Sequence, residues 1–120
     1  MANEISHTLR LQLTNSPLRD DNDPGRVQVT QTALGMSSQV LTIGTTEETV
    51  SLGDISTPGW CYLVNCDSTN YVEVGFSTGV YGIRLKAGEP AHCFRLNSGV
   101  TIYAKANTAA CKVLFKVYEN

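Results

Sequence analysis

Apolar and polar residues alternate along most of this chain, and the period is two almost throughout. From Glu4 to Thr14, Ile5, His7, Leu9, Leu11 and Leu13 point one way while Ser6, Thr8, Arg10 and Gln12 point the other. That period belongs to a half-buried strand. An extended N-terminal strand is therefore expected, long enough for one part to pair within the fold and another to reach a neighbouring subunit. Arg26 to Ala33 repeats the pattern with Val27, Val29, Gln31 and Ala33, and Ser38 to Ile43 and Glu48 to Leu52 follow as short strands. From Gly59 to Tyr118 strand signals succeed one another with Gly, Pro and Asn between them. No window keeps a helical period, and Gly or Pro recurs too often to allow one. Nine or ten strands are expected, arranged as an all-β, single-domain antiparallel β-sandwich, jelly-roll-like, with the extended N-terminal strand.

The alternation also sorts side chains. Trp60, Tyr62 and Val64 share one face of their strand, and Cys61, Leu63 and Asn65 share the other. Both faces are partly apolar, so a central strand covered on both sides is expected. Val72, Val74 and Phe76 are expected inside, as are Ile83 and Leu85, then Val100, Ile102, Ala104 and Ala106, then Cys111, Val113, Phe115 and Val117.

Length, 120 residues, fits one domain over 1–120, with residues 1–25 as an N-terminal strand and polar loop able to act as an intersubunit arm. A net charge of −2, without clustered Lys and Arg, argues against a nucleic-acid surface. No run of ~20 apolar residues is present, so no membrane span is expected. Met1 to His7 lacks the basic and apolar regions of a signal peptide, so synthesis in a reducing cytosol is expected. Cys61, Cys66, Cys93 and Cys111 should then be free thiols; no CxxC pair suggests zinc.

Candidate chemistry adds little. Asn15 to Gly25 is the main polar loop, and Asp20, Asp21 and Asp23 are oxygen donors that raise calcium. The loop lacks the rest of an EF-hand, and Asp23-Pro24-Gly25 is a plain turn signal. His7 reads as a histidine at the rim of the core. No Gly-x-Ser-x-Gly motif places a nucleophile, and Asn97-Ser98-Gly99 reads as a hairpin turn. His92 and Glu89, with only His7 to help, are too few for a cupin metal site. Trp60, Tyr62, Tyr71, Tyr81 and Tyr103 are core and rim residues or, alternatively, a platform for a sugar or peptide. Lys105, Lys112 and Lys116 form a solvated face or a contact with an acidic partner. No cofactor, metal site or catalytic residue is expected.

Four segments carry a resemblance: Gly59-Trp60-Cys61-Tyr62-Leu63-Val64-Asn65, Asp67 to Gly75, Leu85-Lys86-Ala87-Gly88-Glu89-Pro90-Ala91, and Tyr103 to Cys111. Together, over about half of the chain, they resemble a group of small virion structural proteins of tailed bacteriophages. The resemblance implies a capsid or tail component made in the host cytoplasm and located in the virion. Among such proteins, cement (decoration) proteins are compact β-folds that bridge capsid subunits as dimers or trimers. The expected partners are then the major capsid protein and further copies of the chain, a homodimer or homotrimer, with neither nucleic acid nor membrane. Leu9, Leu11, Leu13, Leu18, Arg19 and Asp21 are the candidate intersubunit contacts. A carbohydrate- or receptor-binding module of a head or tail fibre, and a tail or head-completion subunit, are the alternatives.

Overall fold

The computed structural model describes residues 2–97 and 99–120, with the side chains of His92 and Cys93 set aside. The expected turn at Ser98 and the roles weighed for His92 and Cys93 lie outside the described residues. Twelve strands and no helix form among the described residues, and every pairing is antiparallel. The chain divides into two compact units, one ending at Ala33 and the other running from Leu34 to Asn120.

The first unit is one long hairpin. β1 (Ile5–Thr8) pairs with β4 (Arg26–Val29), and β2 (Leu11–Asn15) pairs with β3 (Leu18–Asn22). Ser16-Pro17, joined by a cis peptide, makes the tip. The strand expected over Glu4 to Thr14 is thus two strands, broken at Leu9-Arg10. Three residues of the returning arm, Asp23-Pro24-Gly25, face those two. The mismatch interrupts the ladder as a bulge does, and Pro24 has no N–H to give it. The expected polar loop Asn15 to Gly25 is also half strand. β3 reads Leu-Arg-Asp-Asp-Asn, and so polar a run hides its period of two.

The second unit holds two four-stranded sheets. The first, in spatial order β10-β7-β12-β5, consists of β10 (Pro90–Arg95), β7 (Pro58–Asn65), β12 (Cys111–Glu119) and β5 (Met36–Ile43). The second, β6-β11-β8-β9, consists of β6 (Glu48–Val50), β11 (Ile102–Ala106), β8 (Val72–Gly75) and β9 (Ile83–Leu85). The partners are nested: β8 pairs with β9, β7 with β10, β6 with β11 and β5 with β12. That is a long hairpin wound over on itself, with successive turns laid in opposite sheets.

One core joins the sheets. Cys61, Leu63, Val113, Phe115 and Val117 of the first sheet meet Val72, Val74, Leu85, Ile102, Ala104 and Ala106 of the second, all buried. The two layers therefore form a β-sandwich, each strand giving alternate residues to the interior. β7 is central, as expected, but only its Cys61, Leu63 and Asn65 face is fully buried; Trp60, Tyr62 and Val64 are half-buried on the outside. Phe76, expected inside, is 44% exposed, because β8 ends at Gly75. A Cβ at Gly75 would lie 1.9 Å from the Val80 carbonyl oxygen, so only glycine lets the 75–81 backbone fold back this closely. The same fold-back leaves Val80 in an isolated bridge with Ser77, and the strand that carries Ile83 and Leu85 is only the three residues of β9.

Candidate functional site

The segments that read most strongly in the sequence meet at one end of the sandwich, around Asn65. Its side chain is fully buried at the end of β7. Nδ2 donates to the carbonyl oxygens of Asn70 (3.0 Å) and of Leu85 on β9 (2.9 Å), and Oδ1 accepts from the Asp67 N–H (3.0 Å). The amide thus uses both donors and its acceptor, and it ties one sheet to the other. Asp67 closes the following turn by accepting the N–H groups of Asn70 (2.6 Å) and Thr69 (2.9 Å). Those two bonds, Asn70 first, hold its carboxyl below the usual carboxylate range.

The other segments complete this clamp. The backbone N–H of Gly88 (φ +78°) donates to the Asn65 carbonyl, and the Asn65 N–H donates to that of Glu89. Glu89 takes the Lys86 N–H on its carboxylate at 2.7 Å. From the far end, Asn107 Oδ1 accepts the Tyr71 N–H (3.0 Å), and Thr108 Oγ1 donates to Asn70 Oδ1 (2.7 Å). The Cys111 thiol lies within 3.8 Å of the Asn70, Tyr71 and Ala109 carbonyls, and burial, then the Asp67 charge, push its pKa up. A raised thiol pKa disfavours the reactive thiolate. The sequence analysis placed Asn65 on one face of β7 without a role. Its signal was the spacing Asn-x-Asp-x-x-Asn, a buried polar residue leading into an Asx turn.

A second polar clamp closes the edge near the C-terminus. The buried Glu119 carboxylate accepts the Thr57 N–H (2.8 Å), the Ser56 hydroxyl (2.9 Å) and the Ser56 N–H (3.3 Å). The Thr57 bond leads in holding its pKa below the ordinary value.

The candidate contact residues fall on two faces of the N-terminal hairpin. The register sets Leu13 opposite Asp20, Leu11 opposite Asn22 and Leu18 opposite Asn15, so the three leucines share a face with Asp20 and Asn22. They are 73% (Leu11), 47% (Leu13) and 60% (Leu18) exposed. Arg19 and Asp21 lie on the opposite face with Gln12 and Thr14, and Asp21 is gripped by Arg10 through two bonds of 2.8 and 3.1 Å. Leu9 sits at the break, half-buried. The three aspartates considered for calcium have separate engagements: Asp20 with Asn22, Asp21 with Arg10, and Asp23 with the Gly25 N–H. No group of three or more His, Cys, Asp or Glu poised for a metal occurs among the described residues. Cys61, Cys66 and Cys111 are free thiols.

The aromatic residues separate onto different surfaces. Trp60 and Tyr62 lie outside the first sheet. Tyr71 and Tyr103 lie outside the second, where the Arg84 guanidinium covers the Tyr71 ring at 4.2 Å. Tyr81 donates to Glu47 at 2.5 Å, which pushes its pKa up to about 12, and Glu47 also takes the Gly79 N–H. Lys105 lies outside the second sheet; Lys112 and Lys116 lie outside the first. No helix among the described residues is long and apolar enough to cross a membrane.

What the fold and these sites define is a class, an antiparallel all-β sandwich preceded by a β-hairpin. Comparison with protein-family models, curated proteins and solved structures finds no match.

Proposed function

We propose that this chain is a non-enzymatic structural protein of a tailed-phage virion, a decoration (cement) protein that binds and stabilises the outer head surface as a homo-oligomer. In this reading the sandwich is a jelly roll, which the nested pairing of eight strands across two sheets supports. The observation that carries the proposal is the hairpin. Both strands at its tip are exposed along their whole length, and Leu11, Leu13 and Leu18 share one face. A two-stranded ribbon is marginal by itself in water, and an exposed apolar face on it is a liability until something covers it. An arm made to be covered by neighbours removes that liability. The partners are then the major capsid protein and other copies of the chain, and burial across several subunits stabilises the shell by mass action. The resemblance carried by the Asn65 segments supports the same reading, and their structural duties fit a protein whose work is packing.

The test is to mix purified protein with phage heads lacking it, pellet the heads and count bound copies. Saturable binding at hundreds of copies per head is expected. A handful of copies would move the protein to a vertex or tail ring. No binding would sink the cement reading in favour of a glycan- or receptor-binding module.

A further inference from the structure

The outside of the first sheet is unusual for a surface. β5 presents Met36, Ser38, Val40 and Thr42, β7 presents Trp60, Tyr62 and Val64, and β12 presents Lys112, Leu114, Lys116 and Tyr118. The register sets Val64, Leu114 and Val40 side by side in one row and Tyr62, Lys116 and Ser38 in the next. Val40 is 60% exposed and Met36 64%. No Asp or Glu stands among these outward positions. The face is apolar, aromatic and basic.

We infer that this face receives the β2–β3 hairpin of a second copy of the chain. The inference rests on the homo-oligomeric reading above and names the surface that accepts the arm. The hairpin's leucine face has complementary chemistry: Leu11, Leu13 and Leu18 for the apolar row, with Asp20 among them for Lys112 and Lys116. The same face of a second copy does not fit, because it would set these lysines against their own counterparts. Dimensions agree. Five residues per strand span about 17 Å, within the length of β12, and a third layer would lie about 10 Å above the sheet. A single hairpin of that size covers only a few hundred Å², well short of the roughly 1,200–2,000 Å² of a stable interface. The exchange must therefore be repeated around a closed symmetric dimer or trimer, every copy giving an arm and accepting one.

Sedimentation equilibrium of the full chain tests this without phage heads. Wild type should self-associate. Leu13→Ser with Leu18→Ser on the arm, and Val40→Ser with Leu114→Ser on the face, should each weaken association at least tenfold while circular dichroism, and melting at dilutions where every variant is monomeric, stay close to wild type. Asp20→Lys should weaken it, as should Lys112→Asp with Lys116→Asp, and all three changes in one chain should restore it. A wild type that stays monomeric at high concentration overturns the inference. So does an oligomer indifferent to either set, because the two surfaces would then not be partners. The pelleting assay separates the two readings. A monomer that still saturates heads sinks the arm exchange and leaves the cement function standing. An arm-exchanged oligomer that ignores heads does the reverse.

Discussion

The two outer faces of the sandwich share one core, and each lays an arginine over an aromatic ring, Arg84 over Tyr71 on the second sheet and Arg95 over Trp60 on the first, but their other charges are answered differently. On the second sheet the charges answer one another. Lys105 lies opposite Glu73, Glu73 lies opposite Arg84, and Arg84 bridges to Glu73 at 3.8 Å while covering Tyr71. Cross-strand pairs of opposite charge and a cation over an aromatic ring need nothing further from solvent or partner. On the first sheet Lys112 and Lys116 have no carboxylate within ion-pair distance among the described residues, and the row between them, Val64, Leu114 and Val40, is apolar. The interior of a sandwich asks only for alternate apolar residues, and both sheets supply them. What a sandwich can bind is written on the other set of alternate residues, and among the described residues it is the lysines of the first sheet that lack an opposite charge.

That comparison presumes that the sheets hold each other in place, and Asn65 is where this can be broken. Its amide reaches from β7 to the Leu85 carbonyl of β9 while holding the Asn70 carbonyl and the Asp67 N–H. Asn65→Ala strands three polar groups at a buried site. At about 1–3 kcal/mol for each group left unsatisfied, less whatever water regains, a loss of about 2–3 kcal/mol is expected. Urea unfolding should show it as a lower midpoint at unchanged slope. A loss under about 0.5 kcal/mol would mean that the clamp is incidental and the sheets are held by the core alone.

The alternation made the sandwich legible because each strand of the second unit buries one face, so its apolar residues fall every second position. Cys111, Val113, Phe115 and Val117 were readable for that reason. β3 was not, since neither of its faces is buried and Leu18-Arg19-Asp20-Asp21-Asn22 looks like a loop. The break at Leu9-Arg10 was equally hidden, being imposed by Asp23-Pro24-Gly25 on the returning strand. The candidate contacts Leu11, Leu13 and Leu18 were named from their apolar character, but their division from Arg19 and Asp21 depends on hairpin register. The outward face of the first sheet was legible only as an ambiguity: Trp60, Tyr62 and Val64 made β7 look covered on both sides, and they are half-buried.

Acid should reveal the second clamp, which stands at the edge of the face whose lysines are unanswered. Glu119 is held below its ordinary pKa of 4.5 by the Thr57 and Ser56 donors. A group depressed on folding binds fewer protons in the native state. Its stabilisation is present above the unfolded pKa and is lost as pH falls through the folded one. Stability should therefore decline below about pH 4.5, and Glu119→Gln should flatten part of that decline while lowering stability at pH 7. The rest of the acid limb should persist, because Asp67 and Glu47 are depressed in the same sense. Denaturant melts at a series of pH values measure this. A Gln variant with an unaltered acid limb would remove Glu119 from the account.

The smallest effect separates the faces most cleanly. Arg84→Gln breaks the exposed bridge to Glu73 and uncovers Tyr71, and both groups stay in water. Such pairs contribute about 0–1 kcal/mol, so a loss of about 0.5 kcal/mol is expected, shrinking in high salt as the bridge is screened. Because the second sheet's charges answer one another, the same change should leave sedimentation untouched. Leu114→Ser on the other face should behave in the opposite way. A half-buried outward leucine costs the lone chain little, yet association should weaken. If Arg84→Gln disturbed association as much as Leu114→Ser, charge pairing would no longer mark the solvent side, and the distinction between the two faces would fall.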